Sequence, residues 1–179
     1  MIRCFTTLAI LASSALLVGC TTPAVDTASV LRQPAKEVDL ARYVGRWHEQ
    51  GRYEQSFQRN CEAVTADYSV QPNGRIEVVN TCRQGAVDGP VSQAVGRARV
   101  VEGSRNAKLK VSFFGPFEGD YWVLDRAPDY AWAIVGEGSG QYLWILTRER
   151  RISQSAYQAL VQRAVRMGYD ASRIRRTAQ

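Results

Sequence analysis

Histidine is almost missing from this chain: His48 is the single one among 179 residues. A lone imidazole cannot build a paired-histidine metal site or more than one histidine-based acid/base centre, which removes most enzyme chemistry of those kinds. No G-x-x-x-x-G-K phosphate cradle occurs, and no Ser-His-Asp order follows His48, whose neighbour Glu49 is its only carboxylate partner nearby in sequence. Proline and glycine, at 6 and 14 residues, are too few for a disordered or collagen-like chain. An apolar run long enough to cross a bilayer as a helix is lacking too: the longest, Phe5 to Val18, has about fourteen residues where roughly twenty are needed. What remains is 45% apolar and 22% charged, the balance of one globular domain.

The short apolar run follows Arg3 and reads as the core of a signal peptide. It ends in Leu17-Val18-Gly19-Cys20, which resembles the bacterial lipobox, in which small residues precede a cysteine that is acylated before cleavage. That resemblance implies a signal peptide over residues 1–19, lipidation of Cys20, and membrane attachment through its acyl chains. An ordinary signal peptide with a chance cysteine is the competing reading. Thr21 and Thr22 follow Cys20 where, in the lipoproteins of enteric bacteria, an aspartate marks retention at the inner membrane, so the outer membrane is implied, on its periplasmic face. Residues 20–37 form the lipidated N-terminus and a flexible tether without periodic pattern, and residues 38–179 form the domain. Without residues 1–19 the chain carries 22 basic and 17 acidic groups. Arg52, Arg75, Arg97, Arg126 and Arg148 are spread along the chain and read as solvated strand faces, not as a nucleic-acid surface.

With Cys4 in the leader and Cys20 lipidated, only Cys61 and Cys82 remain as side-chain thiols. An even pair in an exported protein favours a disulfide, and the pair flanks one hairpin turned by Pro72-Asn73-Gly74; two free thiols are the alternative.

From residue 60 to 148 the chain alternates apolar and polar residues in short runs broken by turn signals. Lys108 to Phe113, Val95 to Val100, Ile76 to Asn80, Tyr121 to Leu124, Ala131 to Val135 and Tyr142 to Thr147 each read as a strand. Such a meander closes into an up-and-down barrel or packs as a sandwich. One helix follows, capped by Ser153 or Ser155, with Tyr157, Leu160, Val161 and Ala164 on one face and Gly168 at its end. Its apolar stripe needs a partner, and the outer face of the last strands (Leu143, Ile145, Ile134) supplies one.

Gly45-Arg46-Trp47 lies ahead of the first strand, Asp129-Tyr130 in the turn before Ala131 to Val135, and Arg148 at the end of the final strand. These three elements, in this order, resemble the three conserved regions of the lipocalins. The run Lys110 to Phe117 and the segment Tyr142 to Leu146 are most similar to the bacterial outer-membrane lipoprotein lipocalins, relatives of apolipoprotein D. The likeness spans about residues 38–172. It departs at His48, where the family usually has tyrosine, and at Arg126-Ala127-Pro128, a looser turn than usual. The resemblance implies an all-β fold, an eight-stranded antiparallel up-and-down barrel with one C-terminal helix packed on its outside. It also implies that Trp47 and Arg148 stack across the barrel floor, so that Gly45, Trp47, Asp129, Tyr130 and Arg148 are structural.

If Arg148 points inward, alternation turns Leu146, Trp144 and Tyr142 toward the chamber. The same parity gives a lining of Val64, Ala66 and Tyr68; Ile76, Val78 and Asn80; Ala94, Gly96 and Ala98; Leu109, Val111 and Phe113; Tyr121 and Val123; Ala133 and Val135. That surface suits an acyl chain, with Tyr68, Asn80 or Tyr121 placed to bond a head group. Phe57, Phe114 to Phe117 and the turn Gly136 to Gly140 fall at the open end, where aromatic side chains suit a membrane interface, a self-packed loop or a dimer contact equally. The expectation is a lipid-anchored protein that binds fatty acids, lysophospholipids or similar amphiphiles for storage or transport in envelope maintenance. It would have no catalytic residues, metal, cofactor or nucleic-acid partner, and a homodimer stays open. The rivals are a lipocalin-fold enzyme acting on a hydrophobic ligand through a free thiol, and a structural envelope lipoprotein with a solid barrel.

Overall fold

The computed structural model describes residues 32–179, so the signal peptide, Cys20 and the first part of the tether lie outside the described residues. Nine strands form one antiparallel sheet: β1 (Gly45–Tyr53), β2 (Cys61–Val70), β3 (Ile76–Gln84), β4 (Val91–Val100), β5 (Lys108–Phe114), β6 (Phe117–Arg126), β7 (Trp132–Gly136), β8 (Leu143–Thr147) and the short β9 (Ile174–Arg176). Strands β1 to β7 each pair with the next in sequence, and β1 pairs with both β2 and β8, which closes an eight-stranded barrel. The hairpin predicted at Pro72 to Gly74 is there: Gly74 has a positive φ of 76°, and Asn73 accepts from the Arg75 N–H.

Because the strands run up and down, the loops after β2, β4 and β6 gather at one end of the barrel. Those after β1, β3, β5 and β7 gather at the other. The first end is a floor. A one-turn helix, α1 (Leu40–Tyr43), capped by Asp39, lies there and inserts Tyr43 beneath the sheet. The second end is the mouth.

Gly45 to Trp47 belongs to β1 rather than preceding the first strand. The run His48-Glu49-Gln50-Gly51-Arg52 does not alternate in polarity because a bulge at Gln50 interrupts it. Gln50 turns outward, and its amide donates to Thr147 Oγ1 and to the carbonyls of Glu149 and Arg150. Gly51 faces the C-terminal helix, where a Cβ would come within 3.0 Å of the Tyr157 hydroxyl. Arg52, opposite the inward Trp144, consequently turns into the barrel wall.

The helix α2 (Gln154–Arg166) is capped by Ser153, whose hydroxyl accepts from Ala156 N, and Gly168 follows with a φ of 85°. Its stripe docks on the outer wall as expected: Tyr157, Leu160 and Val161 on Ile145, and Ala164 with Tyr169 on Ile134 and Leu143. The chain then turns back down as β9 along β1, a strand its two adjacent arginines hid from sequence reading. Residues 177–179 continue into the seam where β1 and β2 part. There Thr177 N–H donates to the Gln50 carbonyl, the Ala63 N–H to the Ala178 carbonyl, and the Gln179 amide to the carbonyls of Glu49 and Val64.

At the N-terminal side, the expected flexible stretch is docked from residue 32 onward. Arg32 donates to the carbonyls of Gly138 and Ser139 in the mouth turn, the Ala35 N–H to Leu124, and Lys36 to Arg126 and to the Asp125 carboxylate. Residues 32–38 thus form a strap that descends the outer wall from mouth to floor.

Candidate functional site: the barrel interior

The floor is built around Trp47, which is fully buried. Its indole N–H donates to the Tyr43 carbonyl at 2.8 Å, and the Arg148 guanidinium lies 3.8 Å from its ring. Arg148 follows the last residue of β8, and its two terminal nitrogens donate to the carbonyls of Arg46, Arg42, Tyr43 and Val44. It thereby satisfies the C-terminal carbonyls of α1, which a helix this short leaves open. Gly45, with a φ of 92°, passes 3.5 Å from Arg148 at the position where a Cβ would stand. At the neighbouring turn, Asp129 accepts from the Ala131 N–H, and the Tyr130 hydroxyl accepts from the Asp39 N–H. The guanidinium groups of Arg42 and Arg126 lie over the Tyr130 ring at 4.4 and 4.2 Å from its centre.

Above Trp47 the inner face follows the expected parity. Ala66, Tyr68, Ile76, Val78, Ala98, Leu109, Val123, Ala133, Val135 and Leu146 form one buried cluster with Tyr43 and Trp47. Val111, Phe113, Tyr121 and Trp144 pack on that cluster but are only half-buried. Asn80, opposite Ala66, is half-buried, and Ala94, opposite Asn80, is exposed although it faces inward. Phe113 lies over Gly96, where a Cβ would approach its ring to 2.7 Å. The interior therefore has two halves: a filled lower half and an upper half that opens to solvent.

Four expected lining residues sit differently. Tyr68 and Tyr121 do not stand free for a head group: the Tyr68 hydroxyl donates to that of Tyr121 at 2.8 Å, and Tyr121 shares a further 2.8 Å bond with Tyr43. Burial holds all three phenols in their neutral form, pushing each well above its ordinary range. Val64 packs in a separate cluster with Cys61 and Cys82 at the mouth end of the wall. Those cysteines are joined in a disulfide, so the thiol nucleophile that an enzymatic reading needed is consumed. Tyr142 precedes β8 and stacks between Phe57, at 6.4 Å, and Trp144, at 5.8 Å, as part of the rim.

The sequence reading missed a buried polar group in the upper wall. Arg52, read as a solvated strand residue, has no exposed surface. It donates to Glu49 at 2.8 Å, to Glu54, to the carbonyls of Cys61 and Gln58, and to Thr177. Gln58, from the first mouth loop, donates to Glu49 and accepts from the Trp144 indole at 3.0 Å, which fixes the Trp144 ring against the wall. Plain alternation from Trp47 already turns Glu49 inward, and an inward carboxylate demands a partner. That was the readable signal, and the bulge hid which residue answers it. His48, on the outer side, has its imidazole pulled toward the neutral form by burial and by the nearby Arg46 charge. Among the described residues no group of histidine, cysteine and carboxylate side chains could hold a metal ion.

The rim is apolar and aromatic. Phe57, Phe114 and Phe117 are exposed by 67%, 76% and 79%, and they stand on two different mouth loops.

A family model described as a lipocalin-like domain matches residues 38–179. The chain is 35% identical over 158 residues to outer membrane lipoprotein Blc of Escherichia coli K12, covering 88% of this chain and 87% of that protein. It is 36% identical over 156 residues to temperature-induced lipocalin-1 of Arabidopsis thaliana, covering 80% and 81%. Among solved structures, insecticyanin from the tobacco hornworm Manduca sexta superimposes with a TM-score of 0.65 at 19% identity, covering 82% of this chain and 84% of that one. A closed barrel floored by a tryptophan–arginine stack, a docked helix, and sequence likeness along nearly the whole domain together make this chain a member of the lipocalin family.

Proposed function

We propose that this chain is a lipid-anchored lipocalin that takes up fatty acids, lysophospholipids or similar single-chain amphiphiles from a membrane and stores or carries them within the envelope. The observation that carries this reading is the open upper half of the barrel. Inward-facing Ala94 is exposed, and the surrounding walls (Val111, Phe113, Trp144) are apolar and half-buried, as a chamber for an acyl tail requires. Burying each tail methylene there contributes about 0.8 kcal/mol, so a chain of several carbons is held firmly without any charged contact.

Attachment through Cys20 and residence at the outer membrane are part of this proposal. They are supported by the Leu17-Val18-Gly19-Cys20 motif and by likeness to a protein named as an outer membrane lipoprotein. The strap meets the barrel at Arg32, beside the mouth turn, so a lipidated Cys20 is separated from the mouth by a chain that extends to at most roughly 40 Å. Phe57, Phe114 and Phe117 crown that same end, which favours a mouth turned toward the membrane.

Native mass spectrometry of protein released from membranes without detergent tests the reading: adducts of fatty-acid or lysophospholipid mass are expected. Absence of adducts, together with no displacement of a fluorescent fatty acid, would favour a solid structural barrel. Labelled palmitate should enter the wild type and not Cys20→Ala.

A further inference from the structure

Three phenol hydroxyls meet at the base of the open half, and their protons do not balance. Tyr43, Tyr68 and Tyr121 bring three O–H protons, while the cluster makes two hydrogen bonds, Tyr68 to Tyr121 and Tyr43 with Tyr121. Since Tyr68 spends its proton on Tyr121, one proton is left over, on Tyr43 or on Tyr121. No other acceptor for it occurs among the described residues. Tyr43 is 2% exposed and its ring is enclosed by Trp47 and Tyr68, with ring centres at 5.1 and 5.7 Å. Tyr121 is the half-buried member, and its side chain shares the inner face with Leu109 opposite. When Tyr43 is the donor to Tyr121, Tyr121 keeps its own O–H for a group bound in the chamber. A buried donor left unmet is costly, so the site favours a ligand that brings an acceptor.

We propose that Tyr121, held by Tyr43 and Tyr68, is a subsite for a neutral oxygen acceptor, a ketone or aldehyde carbonyl, carried on the leading end of the bound chain. The proposal rests on the barrel-binding reading and names the ligand class that reading leaves open. A carboxylate does not fit this place. One phenol cannot replace the several donors that an ionised carboxylate loses on leaving water, and the terminal nitrogens of nearby Arg148 are committed to backbone carbonyls. A charged head group therefore stays at the wet mouth while the oxygenated tail end goes down. Burial keeps the three phenols neutral, so the donor persists throughout the ordinary pH range.

The test compares hexadecanoic acid with its oxo analogue bearing a ketone on the penultimate carbon, each displacing a fluorescent fatty acid from the mature protein. Wild type is expected to bind the oxo acid about fivefold or more tightly than hexadecanoic acid, the reverse of what an all-apolar chamber would do. Tyr121→Phe should abolish the preference, and Tyr43→Phe should keep it because Tyr121 retains its proton. If wild type binds hexadecanoic acid but prefers it to, or does not distinguish it from, the oxo acid, the subsite is refuted and barrel binding stands. If neither acid binds, barrel binding is refuted and the subsite with it. The wild-type ligand pair decides the matter even if a variant fails to fold.

Discussion

Arg52 carries a full charge in a wall from which water is excluded, and it is tolerable because Glu49, Glu54, Thr177 and two carbonyls surround it. Removing one member of such a pair leaves the other charge buried without compensation. Arg52→Met should therefore lower stability by about 3 to 5 kcal/mol in urea unfolding, and adding Glu49→Gln should recover part of that loss. An Arg52→Met variant as stable as wild type would mean that the wall is wetter than its packing indicates. The three floor phenols give a pH prediction whose sign follows from their raised folded-state values. Below pH about 10 both folded and unfolded chains hold these protons, so the phenols add no pH dependence. Above it the unfolded chain releases protons that the folded one retains, and stability falls, by up to about 1.4 kcal/mol per pH unit for each phenol. Urea midpoints should be flat near pH 9 and drop above about 10. Tyr121→Phe should soften the slope.

Strands whose two faces meet different surroundings were readable, and those held by other means were not. β3 and β5 alternate because one face meets the core and the other water, so Ile76-Glu77-Val78 and Leu109-Lys110-Val111 announce themselves. β1 breaks the rule because the bulge at Gln50 shifts its parity midway, and because its upper inner face carries an ion pair in place of apolar side chains. β9 is three residues long with two arginines, and its place is fixed by the seam between β1 and β2 rather than by its own composition. The cysteine pair could be read because the hairpin sets its spacing. The Cys61–Cys82 bridge spans 21 residues of sequence, and closing such a loop constrains the unfolded chain by about 3 kcal/mol. Reduction, or Cys61→Ala with Cys82→Ala, should lower unfolding stability by about that amount. Because the bridge sits in a small cluster with Val64, apart from the central cluster, fatty-acid affinity should change little. A large affinity loss on reduction would show that the mouth depends on this staple.

On the scale of the whole barrel, the parity of the lining was legible from one inward arginine, but the depth of the chamber was not. Tyr43 comes from a helix below the sheet, outside any strand's alternation, and with Trp47 and Tyr68 it fills space that the lining list alone leaves empty. This division predicts that stability and binding reside at opposite ends. Trp47 is fully buried beneath the cluster and braces both Tyr43 and Arg148, so Trp47→Ala should cost about 3 to 5 kcal/mol of unfolding stability, the range for a large aromatic deleted from a core. Trp144 is half-buried in the open half, held by Gln58 and stacked on Tyr142, where its ring forms part of the wall of the proposed chamber. Trp144→Ala should cost the fold roughly 1 to 2 kcal/mol, because the site is already part open, and weaken fatty-acid binding about tenfold through lost apolar contact. Urea unfolding and displacement of a fluorescent fatty acid, run on both variants, separate the two roles. The reverse pattern, with Trp47→Ala binding weakly but folding normally, would mean that the ligand lies on the floor side and that the chamber has been located at the wrong end.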